Sequence, residues 1–561
     1  MLDIKFDRYY QYEELTRLLQ DYSETYPDLI HIESIGKSYE GRDIWLLKVT
    51  NFNTGSDNEK PAVWVDGNIH ATELSGSTAC LYHLHTLMTG YGKDDEITRC
   101  LDTRVFYICP RINPDGAEWA LADIPKYVRS STRPYPYLDD PVEGLTTEDI
   151  DEDGRILTMR VKDPNGSWKA HPEEPRLMIR RDPIESGGTY YRLLPEGRLI
   201  NYDGVTIKVL PSKEGLDLNR NFPNEWKGEG EQSGSGPYPT SEPEVRSVVD
   251  FMIAHNNIGA TISFHTYSGV ILRPYASKAD DAFPPEDLWT YQKIGEKGTE
   301  VSGYPNISIF HDFKYHPKQV ISGGFDWTYE HLGMFMWAVE IWAPMREAGI
   351  ENYKFIDWFR EHPVEDDLKI IQWVDSVVDG GGFVDWYPFN HPELGEVELG
   401  GIDFMRVWRN PPFEHLEKEV SKFTSWLTWQ ALISPKVEIR DLSAERITQD
   451  TFKVSLVLEN TGWLPTYVTK MALEKKVVRG VICEIEIPES ATLETGLARE
   501  EGAQLEGRAY KTASLAFSSA PESTDDRLKM EWVICAPDGG EVKLVARHDR
   551  AGVVKAKLKL A

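Results

Sequence analysis

Hydrophobic positions in the first part of the chain alternate between the spacing of helices and that of strands. Near the N-terminus, apolar residues follow the i, i+3, i+4 and i+7 spacing of one helix face: Leu15, Leu18, Leu19 and Tyr22. A strand-turn-strand pattern around Glu40 and Gly41 comes next. Apolar runs bounded by Gly or Pro then alternate with helical patterns: PAVWVDG, RVFYICP, GATISFH and MFMWAVEIW. This alternation predicts an α/β fold in which helices cover both faces of a sheet.

Two regions depart from that alternation. From about residue 134 to residue 213 the chain is rich in Asp, Glu, Pro, Gly and Arg and contains short strand-like pieces, which predicts a small β-rich insertion. After residue 433 the pattern becomes that of strands, with alternating apolar positions at Phe452, Val454, Leu456 and Leu458. We therefore expect a domain over 1–433 that carries the insertion, and a C-terminal β-sandwich over 434–561.

Composition and charge limit the classes of partner. The length of 561 residues excludes a single small module, and 40% hydrophobic and 11% aromatic residues are enough for a large core. The 61 Lys and Arg residues against 91 Asp and Glu residues leave a net charge of −30. Such a charge repels phosphate backbones and anionic lipid surfaces. Nucleic acids and membranes are therefore not expected as partners.

The cysteines and the N-terminal segment bear on the compartment. The five cysteines form no Cys-x-x-Cys pair and no regular spacing, so we expect reduced thiols. The chain has no run of eighteen apolar residues. Its first residues, MLDIKFDRYYQYEEL, lack the basic start and apolar core of a signal peptide. These features predict a cytoplasmic location.

Three residues have the types and positions of a zinc site. His70 and Glu73 are three residues apart where the strand PAVWVDG leads into a helical pattern, and His265 follows the strand GATISF. Sheet proteins collect their sites at the carboxyl ends of strands. Two His and one Glu form a catalytic zinc set that leaves one coordination position for water. We therefore predict one zinc ion at His70, Glu73 and His265.

Seven short motifs, in order, resemble those of the M14 family of zinc carboxypeptidases over roughly residues 8–430. They are His70 to Glu73, NPDG at 113–116, DLNRNF at 217–222, SEPE at 241–244, FHTY at 264–267, SGGFDW at 322–327 and VEIW at 339–342. Each motif alone is weak, but seven in family order are specific. The resemblance implies an α/β/α domain with a mixed sheet, and an enzyme that releases the C-terminal residue of peptides.

The resemblance also implies roles for further residues. Glu340 would be the general base that takes a proton from the attacking water. Arg220 would hold the terminal carboxylate of the substrate with both guanidinium nitrogens, and Asn219 would share that anion. A further arginine should stabilise the oxyanion, for which Arg129 is preferred and Arg133 is the alternative.

The sequence departs from the family pattern at two places. Thr72 stands where the family often has an arginine between the first two ligands, which removes one cation from the substrate path. The mobile tyrosine expected before Ser-Gly-Gly is missing, and Tyr315 is the nearest substitute. Alignment suggests that Ser263, Leu272 and Phe325 line the pocket of the departing residue. This mainly apolar set predicts a preference for aromatic or aliphatic C-terminal residues.

A second metal signal lies in the insertion. Asp149, Asp151 and Asp153 occupy alternate positions before a glycine, as at the opening of a calcium loop. The acidic ligand expected at the twelfth position is missing, because that residue is Arg160. A calcium site and a solvated acidic turn both remain possible from the sequence.

The sequence therefore predicts a zinc metallocarboxypeptidase that acts on peptides with a free C-terminus. Two alternatives remain open. The same site could trim cell-wall peptides or hydrolyse a modified amino-acid amide, or the protein could be a non-catalytic binding protein in which the sandwich is the functional part. The complete set of ligands, base and carboxylate-binding arginine weighs against the binding protein. The sequence does not determine the oligomeric state.

Overall fold

The structure is a computed structural model. It describes residue 2 and residues 4–136, 143–314, 323–378, 381–509 and 523–560.

The first part of the chain supplies half of the main sheet. Its elements are α1 (Tyr12–Thr25), β1 (Ile30–Lys37), β2 (Asp43–Val49), β3 (Ala62–Gly67), α2 (Leu74–Gly90), α3 (Asp95–Thr103), β4 (Val105–Cys109) and α4 (Pro114–Ala120). Helix α1 buries Leu15, Leu19 and Tyr22 of the predicted stripe. Strands β1 and β2 pair antiparallel across the predicted turn.

The segment expected to be a β-rich insertion contains short strands. They are β5 (Gly144–Thr147), β6 (Thr158–Lys162), β7 (Trp168–Ala170), β8 (Met178–Arg180), β9 (Tyr191–Pro195) and β10 (Gly197–Ile200). Strand β5 pairs antiparallel with β10.

The chain then returns to the main sheet. The elements of this part are α5 (Pro243–Ala254), β11 (Ile258–Thr266), β12 (Val270–Arg273), α6 (Pro285–Ser302), β13 (Asn306–Ser308), α7 (Ile309–Asp312), α8 (Gly324–Leu332), β14 (Phe335–Ile341), α9 (Pro344–Glu347), α10 (Phe355–Arg360), α11 (Val364–Val377), β15 (Phe383–His391), β16 (Gly395–Ile402), α12 (Phe413–Val420) and α13 (Thr424–Ile433). A 3₁₀ turn, Leu218–Arg220, precedes these elements, and a π-helical segment, Phe404–Arg409, follows β16.

Eight strands of the described residues form a mixed main sheet in the order β1-β2-β4-β3-β11-β14-β12-β13. Its centre, β4-β3-β11-β14, is parallel and corresponds to the four apolar runs read from the sequence. Every residue of β3 and β4 is buried. Two apolar clusters of helix and strand residues hold the sheet between its covering layers. A parallel sheet buried on both faces brings its strand ends to one edge, where the site forms.

The insertion is joined by strands that come much later in the chain. Strands β6, β7, β8 and β9 combine with β15 and β16 in one antiparallel sheet, ordered β15-β16-β6-β9-β7-β8. The two segments join through the pairing of β16 with β6, and an ion pair between Arg160 and Glu398 lies across this pairing at 3.0 Å. The sequence did not predict this pairing, because register between distant strands leaves no local pattern.

The C-terminal part contains β17 (Val437–Arg446), β18 (Thr451–Asn460), α14 (Lys470–Glu474), β19 (Ile482–Glu486), β20 (Thr492–Thr495), β21 (Arg499–Glu501), β22 (Arg527–Cys535), β23 (Gly540–His548) and β24 (Gly552–Leu560). These strands form two sheets, β17-β18-β22-β20 and β21-β19-β23-β24. Residues of both sheets, including Leu456, Trp532 and Leu544, belong to one hydrophobic cluster.

Two further observations concern the sequence-based expectations. Within the described residues, none of the helices combines the length and the apolar composition that crossing a bilayer requires. The five cysteines are free thiols, and four of them are buried.

Candidate active site

The three residues assigned to zinc converge at the carboxyl edge of the main sheet. His70 and Glu73 lie between β3 and α2, and His265 lies near the end of β11. Nδ1 of His70 is 2.9 Å from Oε1 of Glu73, and Nδ1 of His265 is 3.0 Å from Oε2. The two Nδ1 atoms are 3.1 Å apart, and all three side chains are buried. Two imidazole nitrogens and a carboxylate this close fit the donor set of one zinc ion.

The other nitrogen of each imidazole has its own partner. Nε2 of His70 lies 3.2 Å from Oδ1 of Asp217. Nε2 of His265 lies 3.2 Å from the hydroxyl of Ser263, which donates a hydrogen bond of 2.5 Å to Asp66. Metal-binding histidines commonly hold their second nitrogen in this way, which fixes the ring orientation. Both rings are therefore held with Nδ1 toward Glu73.

The turn that carries the first two ligands depends on close backbone contacts. A Cβ atom on Gly67 would lie 2.5 Å from the main-chain carbon of Gly76, so α2 packs directly on the end of β3. A Cβ atom on Gly76 would lie 2.7 Å from the carbonyl oxygen of Phe264 on β11. Asn68 adopts a φ of 58° and donates from its amide to the His70 carbonyl oxygen at 2.7 Å. These contacts bring His70 and Glu73 toward the strand that bears His265.

Glu340 lies on β14 directly beside His265 in the parallel register. Equivalent residues of neighbouring strands point to the same face of a sheet, so the carboxyl group lies next to the three candidate ligands. Burial raises the pKa of Glu340 to about 7; the negative charge of Glu73 acts in the same direction, and the charges of His265 and two arginines oppose it. A carboxyl group with a pKa near neutrality is suited to accept and return a proton.

The two candidate arginines for the oxyanion have different environments. Arg129 donates from Nε to Asp217 at 2.9 Å and from Nη1 to Oε1 of Glu73 at 3.4 Å, and 42% of its side chain is exposed. Arg133 instead makes a two-pronged ion pair with buried Glu242, at 2.9 and 2.5 Å. Arg129 therefore lies beside the candidate ligands with part of its side chain exposed, whereas Arg133 is engaged with Glu242.

The residues predicted to hold the substrate carboxylate lie on a 3₁₀ turn next to this cluster. Asp217 caps the turn by accepting a hydrogen bond of 2.9 Å from the Asn219 main-chain amide. Asn219 is buried, and its side-chain oxygen accepts from the Gly324 amide at 3.0 Å. Arg220 donates to the Asn219 carbonyl oxygen at 2.9 Å and approaches Asp217 to 3.9 Å.

Two buried carboxylates balance the positive charge of the cluster. Burial by itself would raise the pKa of Asp217, but the charges of Arg129, Arg220 and His70 hold it well below its usual range. The same balance holds for Glu73, where the two histidines outweigh burial and keep the pKa well below its usual value. Both groups are therefore ionised at neutral pH, and a bound cation would meet two negative charges.

The predicted pocket residues have distinct surroundings. Ser263 lines a small, mainly apolar cavity that His265 and Asn219 also line. Leu272 lies on β12 in an apolar cluster that includes Met336 and Ala338. The side chain of Phe325 and the whole of Tyr315 lie outside the described residues.

Two residues that contact Glu73 or the turn around it were not predicted from the sequence. Arg409 donates to Oε1 of Glu73 at 3.5 Å. Asn410 accepts from the Ser75 amide at 3.0 Å and donates to the Thr72 carbonyl oxygen at 2.9 Å, on either side of Glu73. No motif links these residues to the site, because more than 330 positions separate them from the ligand turn. Asp217 could have been found, since it begins the DLNRNF motif.

The acidic residues of the insertion also lie together, with carboxylate oxygens within reach of one ion. Asp149 accepts hydrogen bonds from the Asp153 and Gly154 amides. Asp151 accepts from the Tyr387 hydroxyl at 2.6 Å, and Asp153 pairs with Arg155. Internal hydrogen bonds thus account for this turn, and calcium stays a prediction.

Comparison with known proteins bears on the whole arrangement. The family model described as zinc carboxypeptidase (Peptidase_M14) matches residues 15–357. The chain belongs to the zinc carboxypeptidase family. This confirms the family predicted from the seven motifs. A second model, described as a domain of unknown function (DUF8731), matches residues 436–559.

Similar proteins carry carboxypeptidase names. The chain is 25% identical over 354 residues to carboxypeptidase A2 of Rattus norvegicus, covering 60% of this chain and 64% of the rat protein. It is 26% identical over 334 residues to carboxypeptidase B2 of Bos taurus, covering 58% of this chain and 60% of the bovine protein. The chain thus spans less than two thirds of the length of these two relatives.

A solved structure of thrombin activatable fibrinolysis inhibitor is similar over 76% of this chain and 74% of the inhibitor chain, with 19% identity and a TM-score of 0.44. The region of this zinc carboxypeptidase family member matched by the family model contains His70, Glu73, His265 and Glu340, whereas Arg409 and Asn410 lie beyond its end.

Proposed function

We propose that the protein is a zinc-dependent metallocarboxypeptidase that hydrolyses the C-terminal peptide bond of peptides with a free carboxylate. The observation that carries this proposal is the buried cluster of His70, Glu73 and His265 with Glu340 beside it. Membership of the zinc carboxypeptidase family supports zinc as the ion. Both imidazoles are already held with Nδ1 toward Glu73, so a metal would bind without rearrangement of the rings.

Arg220 and Asn219 are proposed to recognise the substrate's terminal carboxylate. A guanidinium can pair with both oxygens of a carboxylate, and the Asn219 amide would add a neutral donor. The 3₁₀ turn holds the two residues beside Asp217, which links them to His70. Since only the C-terminus has a free main-chain carboxylate, this recognition would restrict the enzyme to the last peptide bond.

Bound zinc would supply a Lewis acid that activates water and polarises the scissile carbonyl. Glu340 then accepts a proton from the attacking water and returns it to the leaving amine, for which its raised pKa is suited. Arg129 is exposed enough to donate to the carbonyl oxygen as negative charge develops there. Asp217 keeps Arg129 in place through the hydrogen bond to Nε.

The preference for aromatic or aliphatic C-terminal residues also remains a proposal. It is supported by the apolar surroundings of Leu272. Phe325 and Tyr315 are proposed as further substrate contacts on the basis of the motif alone.

We further propose that the chain divides near residue 434 into a catalytic domain over 1–433 and a β-sandwich over 434–561. The hydrophobic cluster shared by the two C-terminal sheets supports this division. We propose a structural role for the β-sandwich. Its buried Arg550 donates from Nη1 to the main-chain oxygen of Gly333, which precedes the sandwich in the chain, and to that of Tyr467.

The proposed function can be tested by mass spectrometry of a mixed peptide pool. Peptides with free and with amidated C-termini are incubated with the purified protein, with and without a zinc chelator. The expected result is loss of single C-terminal residues from the free peptides only, abolished by the chelator. The identities of the released residues would report the pocket preference.

The variant Arg220→Gln tests the proposed recognition of the substrate's terminal carboxylate. Because it loses a charged hydrogen bond to the carboxylate, KM for free peptides should rise about 10- to 100-fold. Cleavage of amidated or internal bonds by the wild-type protein would contradict the role of Arg220. Absence of any chelator-sensitive cleavage would contradict the proposed function.

A further inference from the structure

Arg409 brings a second guanidinium to the active site from a part of the chain beyond the family match. Its Nη1 atom lies 3.5 Å from Oε1 of Glu73 and 3.3 Å from the carbonyl oxygen of Thr266. The guanidinium carbon is 5.2 Å from the ring centres of both Tyr267 and Phe404. Cation–π contacts of this kind position a guanidinium while leaving its N–H donors available.

The hydrogen-bonding capacity of Arg409 is only partly used. Among the described residues, its hydrogen bonds come from Nη1 alone, and Nη2 donates to none of them. A guanidinium has five N–H donors, so most of its capacity remains for another acceptor. About a fifth of the side chain remains exposed. Arg409 thus has spare donors in a partly open position beside the metal-site carboxylate.

The segment that carries Arg409 is firmly attached to the ligand turn. Asn410 is fully buried and accepts hydrogen bonds from both the amide and the hydroxyl of Ser75, at 3.0 and 2.9 Å. Its side-chain nitrogen donates to the Thr72 carbonyl oxygen at 2.9 Å. The Trp342 indole nitrogen donates to the Val407 carbonyl oxygen at 2.8 Å. These bonds fix the position of Arg409 relative to Glu73.

Arg409 and Arg220 contact different residues of the site. Arg220 lies near Asp217, which contacts His70, whereas Arg409 contacts Thr266, the residue after His265. With the terminal carboxylate at Arg220, Arg409 is left for a part of the peptide further from its C-terminus. The peptide groups of that part offer carbonyl oxygens, the acceptors that a guanidinium with spare donors can bind.

We propose that Arg409 binds a main-chain carbonyl oxygen of the peptide on the N-terminal side of the scissile bond. This inference rests on the proposed carboxypeptidase function and adds a substrate-binding residue to it. Arg409 thereby places a cation along the path of the substrate. The H-x-x-E motif supplies no cation there, because Thr72 stands between its two ligands. The enzyme would favour peptides long enough to reach this residue.

The test compares Arg409→Gln with the wild-type zinc enzyme on N-acylated peptides lengthened one residue at a time at the N-terminal side. For the wild type, kcat/KM should increase at the length where the bound carbonyl is gained. In the variant this increase should shrink about 10- to 100-fold, as expected for a hydrogen bond to a charged group. The shortest substrate should be affected much less.

A binding measurement gives a readout that does not depend on turnover. Calorimetry with the Glu340→Gln protein should detect a corresponding loss of affinity for the longer peptides when Arg409→Gln is added. Arg406→Gln is the matched control, because this arginine lies on the same π-helical segment with 62% of its side chain exposed. It should leave both the length dependence and the affinity unchanged.

Two results would overturn the inference while leaving the proposed function intact. One is an equal loss of kcat/KM for all lengths in Arg409→Gln, accompanied by faster zinc release to a chelator, which would mean that Arg409 only supports Glu73. The other is an unchanged length dependence. If the wild-type protein itself cleaves none of the peptides, the proposed function fails and this inference fails with it.

Discussion

The edge of the main sheet and the C-terminal sheets both bury ionisable side chains, but these side chains have different kinds of partner in the two regions. At the sheet edge, His70, Glu73 and His265 face one another and belong to a network of groups of both signs. In the C-terminal region, Arg550 donates to main-chain oxygens, and His548 contacts Gln504 at 3.0 Å. Burial lowers the pKa of His548 to about 3, which keeps that ring neutral.

This difference indicates how to separate a reactive polar cluster from a structural one. A buried cation whose terminal nitrogens bond to fixed main-chain carbonyl oxygens is held in place by the fold itself. A carboxylate shared by imidazoles and guanidiniums can exchange those partners for a metal ion. Burial alone therefore does not identify a site; the kind of partner does.

The largest expected effect concerns the sheet edge. Glu340→Gln removes the proton acceptor but keeps the size of the side chain, so kcat should fall about 10²- to 10⁴-fold. Zinc content, measured by elemental analysis, should stay at one ion per chain, because Glu340 is not among the candidate ligands. Full activity in this variant would refute the assigned role of Glu340.

The second prediction concerns the C-terminal sheets. Trp532 is completely buried, and its indole nitrogen donates to the Leu497 carbonyl oxygen at 2.9 Å. Trp532→Ala should lower the free energy of unfolding by about 3–5 kcal/mol, as measured by denaturant titration. At temperatures where the variant remains folded, kcat/KM should match that of the wild type. A selective loss of catalysis without loss of stability would make the C-terminal region part of the catalytic machinery.

The smallest effect concerns the insertion. Burial raises the pKa of Glu196 to about 7, although the amides of Leu157 and Ile150 donate to its carboxylate. Because this pKa is above the unfolded value of about 4.3, the stabilising contribution is complete below that value and is lost as the pH rises through 7. The wild-type melting temperature should therefore fall from pH 5 to pH 8 relative to that of Glu196→Gln.

Glu148→Gln serves as the control for this experiment, since this residue lies in the same region with 42% of its side chain exposed. It should melt in parallel with the wild type at all pH values. A constant difference between Glu196→Gln and the wild type would show that Glu196 does not titrate in this range.

Much of the central fold could be predicted from local patterns. The four apolar runs are the parallel centre of the main sheet, and the helical stripe at Leu15, Leu19 and Tyr22 is buried in α1. The residue types and strand-end positions of His70, Glu73 and His265 also brought them together as one set, and the structure places their ligand atoms within reach of one ion. Their roles in catalysis stay predictions until they are measured.

Other features had no local signal. Strands β15 and β16 join the sheet of the insertion, although more than 200 residues separate β16 from its partner β6. Arg409 and Asn410 reach the ligand turn from a segment without a recognisable motif. Long-range strand pairing and side-chain contacts depend on how the elements pack, and periodicity carries no information about that choice.

The sequence by itself determined the types of the central elements, the family and the candidate metal ligands, because apolar spacing and motif order are local properties of the chain. Only the tertiary structure decided which arginines lie beside Glu73. Arg129 faces the site while Arg133 is paired with Glu242, and Arg409 arrives from a distant segment. The reason is physical: a charged side chain takes the partner that folding brings near it, and neighbours in sequence do not specify that partner.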